Sequence, residues 1–163
     1  MYRVSRDADL QYQEELLQGV SRTFALTIPQ LPGPLEEVVG NGYLLCRIAD
    51  TIEDEPGIAA GLKRRLSERF SDVVAGNLSA RVFAEELSPM LTSASSPQER
   101  ELVANTAPVI RLTHSFRTSQ RRALERCVSV MSRGMADFQQ GASSAGIADL
   151  RELDLNKTAV TAA

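Results

Sequence analysis

The sequence of 163 residues is poor in several residue types, and each scarcity excludes a class of protein. It contains no Trp, one His (His114) and two Cys (Cys46 and Cys127). The cysteines form no CxxC pair and no Cys/His cluster, which excludes the usual zinc motifs and a disulfide framework. We expect two reduced, half-buried thiols in a cytosolic protein, and a structural role for the single histidine.

Long apolar runs and excess positive charge are also missing. No apolar run approaches the 18 or so residues that a transmembrane helix requires. The N-terminus, with Arg3, Arg6, Asp7 and Asp9, lacks the apolar core of a signal peptide. The net charge of −3 gives no electrostatic reason to expect nucleic-acid binding. We therefore expect a one-domain, cytoplasmic protein with at most peripheral membrane contact.

Helical periodicity is what the sequence does contain, and no stretch shows the alternation of a strand. Pro34 near one end and Pro56-Gly57 beyond the other predict a helix over 34–54. Ser96 and Glu99 have the spacing of a capping box, and Pro108 predicts a kink or break in the helix that follows. The sequence predicts an all-α fold with helices over 8–19, 34–54, 58–75, 79–91, 97–114 and 117–141.

The stretch from Tyr43 to Asp54 organises the prediction of function. Tyr43, Arg47, Asp50 and Asp54 are spaced at offsets of four, seven and eleven, which places them on one face of a helix. Two carboxylates one turn apart repel each other, and the end of the helix dipole also disfavours them. Mg²⁺ would offset both costs, with Glu53 as a third carboxylate. The alternative is a solvated acidic turn at a helix end.

Four motifs in order resemble the squalene/phytoene synthase family over a region from about Leu10 to about Asp154. They are Ser21-Arg-Thr-Phe-Ala-Leu26, Leu31-Pro32, Tyr43-Leu-Leu-Cys-Arg47 and Asp50-Thr-Ile-Glu-Asp54. The family condenses two prenyl diphosphates head to head with loss of diphosphate. The resemblance therefore implies an isoprenoid-synthase-type helical bundle, farnesyl or geranylgeranyl diphosphate as substrate, and Mg²⁺. The residues around Asp50 resemble those of squalene synthases more closely than those of phytoene synthases. Squalene synthases also use NADPH.

The resemblance implies roles for the polar residues of the predicted helix. Asp50 and Asp54 match metal ligands, and Glu53 would assist them. Arg47 matches an arginine that binds diphosphate through bidentate hydrogen bonds. Tyr43 matches an active-site tyrosine that stabilises a carbocation through its ring or accepts a proton.

Four further positions match family residues that contact the substrate. Ser21 and Arg22 correspond to a flap over the diphosphate, and Phe24 would line the prenyl channel. Gly134 would leave room for a prenyl tail. A close approach between two helices is the alternative explanation of Gly134.

The sequence departs from the family near its end. Family members have a second aspartate-rich motif downstream of an LRELD-like stretch, whereas here Leu150–Asp154 is followed by nine residues that do not match. We expect residues 1–154 to be the N-terminal part of a synthase-like domain and 155–163 to be an unrelated tail. The isolated chain would be an incomplete or inactive synthase, able to associate through apolar surface on helices 34–54 and 117–141. The alternative is a non-catalytic helical protein that binds an isoprenoid diphosphate or a partner synthase.

Overall fold

The computed structural model of the chain describes residues 6–144, with side-chain surroundings as far as residue 134. Within these residues the protein is all-α, as predicted, with eight α-helices and two 3₁₀ turns. The helices are α1 (Arg6–Val20), α2 (Arg22–Thr27), α3 (Gly33–Asp54), α4 (Ala60–Ala75), α5 (Ala80–Leu87), α6 (Pro97–Ala104), α7 (Thr106–Ser115) and α8 (Thr118–Ser144). The 3₁₀ turns are Ile28–Gln30 and Ser88–Met90.

The chain divides into two compact units, Met1–Ser132 and Arg133–Ala163. All distances given below lie within the first unit. None of the described helices combines the length and apolar character that crossing a bilayer requires.

Helix α3 is the centre of the first unit and contacts α1, α4, α6 and α7. Leu44, Leu45, Ile48 and Ile52 on this helix are fully buried. Burying each such side chain contributes about 1.5–3 kcal/mol. These apolar positions fix the rotation of α3, because the residues between them must then face outward.

A buried polar contact fixes α3 against α7. Asn41 is fully buried, and its Nδ2 donates to the carbonyl oxygen of Val109 at 3.0 Å. Its Oδ1 accepts from Thr113 Oγ1 at 2.8 Å. Both ends of the amide are therefore satisfied, and the position of α3 along α7 is specified.

The helix boundaries confirm part of the prediction and correct another part. The predicted helix 34–54 matches α3, and Ser96 and Glu99 form the predicted capping box at the start of α6. The kink or break predicted within 97–114 is a break, and it lies at Asn105, before Pro108, where the chain divides into α6 and α7. The break places Pro108 in the first turn of α7, where its missing N–H is not needed.

His114 has the structural role expected for it. Its Nε2 lies 2.9 Å from the carbonyl oxygen of Val74, near the end of α4. Helix α4 ends at Ala75, and the residue that caps it, Gly76, has a φ of 86°. A Cβ at Gly76 would lie 2.8 Å from His114 Cε1. Glycine is required there by both the left-handed backbone and the packing of the imidazole.

Candidate functional site

Helix α3 contains all four residues of the predicted polar face, and the buried side chains of the same helix turn that face outward. Tyr43, Arg47 and Asp50 are half-buried, and Asp54, the last residue of the helix, is exposed. A cavity of about 370 Å³ between α1, α2 and the start of α3 is lined by none of these residues.

Arg47 joins carboxylates from two helices. Its Nη2 donates to Glu99 Oε1 on α6, and its Nη1 lies 3.8 Å from Asp50 Oδ2. The Nε of Arg47 is buried and has no hydrogen-bond partner. The Nε of Arg69 and of Arg121 is likewise buried without a hydrogen-bond partner, so this atom marks an unsatisfied donor and does not by itself define a ligand site.

Glu99 is a site residue that the sequence analysis missed. Its Oε2 accepts from the backbone N–H of Ser96 at 2.8 Å, and its own N–H donates to Ser96 Oγ at 3.2 Å. The remaining oxygen, Oε1, accepts from Arg47. The capping-box spacing located Glu99 but gave no signal for a contact with a residue 52 positions away.

Asp50 lies among negative charges. Burial raises the pKa of its carboxyl, Arg47 lowers it, and Asp54 and Glu99 raise it, so that the pKa is above its ordinary value. Arg47 alone therefore does not compensate for burial and for two neighbouring carboxylates. A bound cation would lower this pKa and stabilise the ionised form.

A lysine side chain that the sequence analysis did not anticipate lies at the end of α3. Lys63 on α4 donates its Nζ to the backbone carbonyl of Glu53. This contact stabilises the negative end of the helix dipole without a metal ion. The negative end of the α3 dipole is therefore a weaker reason to expect a metal ion than the sequence alone indicated. The repulsion between Asp50 and Asp54 is not affected by Lys63.

The carboxylates of α3 do not form a preformed metal cage. In the part of the chain that the structure describes, no group of three His, Cys, Asp or Glu side chains is arranged to hold a metal ion. The chemistry of the donors nevertheless fits Mg²⁺, which keeps several waters and binds through one or two carboxylates together with substrate phosphates. Asp50, Glu53 and Asp54 remain the candidate ligands.

The segment that begins at Ser21 lies beside the polar face of α3. Ser21 Oγ accepts from the N–H of Phe24 at 3.3 Å and caps α2, and Arg22 is exposed in its first turn. The rings of Phe24 and Tyr43 stack with their centroids 4.5 Å apart and their planes tilted by 32°. The tertiary structure thus brings the two aromatic residues together. Gly134 belongs to the second unit, and its role stays a prediction.

Comparison with solved structures identifies the fold of this protein. The complex of TcSQS with the ligand BPH1237 superposes with a TM-score of 0.67 and 26% sequence identity, over 80% of this chain and 36% of that chain. The complex of TcSQS with E5700 gives a TM-score of 0.62 and 27% identity. The helical bundle is the all-α isoprenoid-synthase fold. Residues 17–155 match the squalene/phytoene synthase family, and the chain belongs to that family.

Curated relatives point to the same family. Squalene synthase BSS of Botryococcus braunii is 33% identical over 111 residues, which are 61% of this chain and 24% of that protein. The squalene synthase of Eremothecium gossypii is 26% identical over 131 residues, which are 80% of this chain and 28% of that protein. The matched region therefore spans about a quarter of the length of these relatives.

Proposed function

We propose that this chain provides the diphosphate- and Mg²⁺-binding side of a synthase that condenses two prenyl diphosphates head to head with loss of diphosphate. The observation that carries the proposal is the environment of Arg47. Its guanidinium is held by Glu99 and Asp50 and keeps one buried N–H without a partner, on the helix face that also bears Tyr43 and Asp54. Membership of the squalene/phytoene synthase family supplies the reaction class.

Diphosphate leaves an allylic carbon only when its growing negative charge is neutralised. Asp50 and Asp54 would hold Mg²⁺, assisted by Glu53, and the ion would supply most of that neutralisation. Arg47 would donate from its guanidinium to phosphate oxygens while Glu99 holds the side chain beside α6. Ser21 and Arg22 would cover the diphosphate from the start of α2.

The aromatic pair would serve the other end of the substrate. Phe24 is exposed over 45% of its surface and stacks on Tyr43, so both rings can contact a prenyl chain. The face of an aromatic ring attracts a cation, which suits Tyr43 to an allylic carbocation. The Tyr43 hydroxyl could alternatively accept a proton. We propose farnesyl or geranylgeranyl diphosphate as substrate, with NADPH as reductant if the product is squalene, in a cytoplasmic protein.

We propose that the isolated chain binds substrate but does not turn it over. Asp50–Asp54 is the only DxxxD motif in the sequence, whereas the family resemblance implies a second aspartate-rich motif for the other diphosphate. Residues 1–154 would then be the N-terminal part of a synthase domain, and 155–163 a tail that contributes nothing to the site.

Calorimetric titration with farnesyl diphosphate, with and without Mg²⁺, tests the proposal. We expect binding that requires Mg²⁺, and Asp54→Asn should weaken it by about tenfold or more, since a tenfold loss corresponds to about 1.4 kcal/mol. Asp54 is exposed, so the substitution should leave the fold intact. Glu68→Gln on α4, an exposed carboxylate paired with Arg64, is the matched control and should bind like the unmodified chain. Farnesyl diphosphate that binds as tightly with EDTA as with Mg²⁺ would contradict the proposal.

A second candidate is a non-catalytic protein that pairs with a full-length synthase. It is favoured by the apolar side chains that α2 and the start of α3 expose, among them Leu26, which is 74% exposed. A complex with a squalene synthase that forms equally well with and without Mg²⁺, together with no binding of farnesyl diphosphate, would distinguish this function from the first.

A further inference from the structure

Two cysteines that are 81 positions apart in the sequence meet between α3 and α8. Cys46 Sγ and Cys127 Sγ are 3.9 Å apart. Cys46 is half-buried and Cys127 is exposed. A disulfide has an S–S length of about 2.0 Å, so the two sulfur atoms must approach each other by roughly 2 Å to form one.

The two helices lie close together beside the cysteines. Gly42 lies one turn before Cys46, and a Cβ at Gly42 would lie 3.0 Å from Leu124 Cδ2 on α8. Leu124 in turn lies three residues before Cys127 and on the same side of its helix. The absence of a side chain at Gly42 lets α8 lie close to α3 along the line that also contains both cysteines.

We propose that Cys46 and Cys127 are a redox modification site, at which a hydroperoxide converts the two thiols into a reversible disulfide that links α3 to α8. The proposal rests on the contact between the two cysteines and not on the function proposed above. Because Arg47 follows Cys46 directly, the disulfide would also fix the part of α3 that bears the candidate site.

The reaction balances with one hydroperoxide. The Cys127 thiolate attacks a peroxide oxygen, the O–O bond breaks, and Cys127 becomes a sulfenic acid while the departing oxygen takes a proton and leaves as water when the oxidant is hydrogen peroxide. Cys46 then attacks the sulfur of Cys127, the S–O bond breaks, and a second water leaves. The two thiols lose two hydrogens, and the peroxide is reduced to two waters.

The environments of the cysteines suit this order of events. Burial and the neighbouring Cys127 raise the pKa of the Cys46 thiol to about 12, so Cys46 is a poor first nucleophile. Cys127 is the exposed partner that an oxidant can reach. Cys46 then reacts second, with a sulfenic acid that its own contact with Cys127 holds beside it.

Mass spectrometry of the purified chain after brief treatment with hydrogen peroxide tests the site. We expect a loss of about 2 Da, a cross-linked peptide pair containing Cys46 and Cys127, and full reversal by dithiothreitol. The yield should not depend on protein concentration. The oxidised chain should unfold at a temperature roughly 10 °C higher, because the disulfide closes a long loop.

The control variant is Cys46→Ser, which retains the exposed thiol. It should gain about 16 or 32 Da on the same treatment, because its Cys127 sulfenic acid has no neighbour with which to condense. The proposal is overturned if the unmodified chain also gains only oxygen, or if it forms only disulfide-linked dimers whose amount rises with concentration.

Discussion

At the scale of single residues, Glu99 explains how Arg47 is positioned. One carboxylate oxygen of Glu99 caps α6 and the other accepts from the guanidinium, so the helix cap and the candidate site share a residue. The cap limits the freedom of Glu99, and Glu99 limits the freedom of Arg47. A long arginine side chain is thereby oriented before any ligand arrives, which reduces the entropy lost on binding.

Glu99→Gln is expected to lower the pKa of Asp50. The negative charge of Glu99 raises that pKa, and Gln removes the charge while it can still form the capping box with Ser96. Arg47, released from Glu99, would also interact more strongly with Asp50, which acts in the same direction. The pKa of Asp50 can be followed by NMR titration of its carboxyl carbon.

Glu101→Gln on the same helix is the matched control, because Glu101 contacts Tyr12 and not Asp50. Its substitution should leave the titration of Asp50 unchanged. A pKa of Asp50 that stays constant or rises in Glu99→Gln would contradict the electrostatic account of the site.

At the scale of elements, a buried carboxylate fixes the loop after α3 to the loop before α6. Glu55 accepts hydrogen bonds from the N–H of Thr92 at 2.9 Å, Thr92 Oγ1 at 2.6 Å, Ser95 Oγ at 2.9 Å and the N–H of Gly57 at 3.1 Å. All four partners are donors, which suits an ionised carboxylate. This cluster holds the start of α6, and therefore Glu99, beside α3.

Glu55→Gln is expected to destabilise the fold by about 2 kcal/mol at pH 7, because the amide would direct an N–H towards donors. Burial raises the pKa of Glu55, but the hydrogen bonds from Thr92, Gly57 and Ser95 outweigh it and lower the pKa from 4.5 to about 2. The folded-state pKa is thus below the unfolded value. The stabilisation is complete above about pH 4.5 and is lost as the pH falls towards 2.

Urea unfolding of the unmodified chain and of Glu55→Gln at several pH values between 7 and 3 measures the contribution of Glu55 to stability. The difference in free energy of unfolding should shrink as the pH falls through that range. Glu68→Gln, at an exposed carboxylate, is the control and should show little difference at any pH. A difference for Glu55→Gln that is constant with pH would show that its ionisation is not linked to folding.

The junction between α4 and α7 depends on a glycine. Gly76→Ala is expected to destabilise the fold by about 2 kcal/mol, because its φ of 86° disfavours a side chain and the new Cβ would meet the imidazole of His114. Thermal unfolding should show a midpoint several degrees lower. Gly61→Ala, also on α4, is the control because its Cβ would meet nothing within 4 Å, and its midpoint should be unchanged or higher.

At the scale of the whole molecule, this chain corresponds to about a quarter of the squalene synthases it resembles. Its first unit nevertheless has a continuous core, which includes Phe70 and Phe83 with ring centroids 5.4 Å apart. Apolar side chains remain exposed on α2 and the start of α3, namely Phe24, Leu26, Leu35 and Val39. We call these four residues the α2–α3 apolar surface.

The α2–α3 apolar surface is expected to promote association, since exposed apolar area favours contact with another surface. Leu26→Gln should reduce the associated fraction in sedimentation velocity and leave the thermal midpoint unchanged, because 74% of Leu26 is already exposed. Val82→Gln on α5, 55% exposed and apart from this surface, is the control and should associate like the unmodified chain. Equal association of all three proteins would exclude this surface as the cause.

The sequence by itself determined the all-α fold, the bounds of α3 and its polar face, because helical periodicity, proline positions and caps act over one to four residues. Even there, Pro108 predicted a kink or break but not its position, which the structure places at Asn105. Only the tertiary structure decided the contacts of Arg47 with Glu99, of Cys46 with Cys127 and of Glu55 with Thr92. These pairs are 52, 81 and 37 positions apart, and no local pattern specifies them. They follow from the packing of whole helices around the buried side of α3, which requires the complete core to be formed.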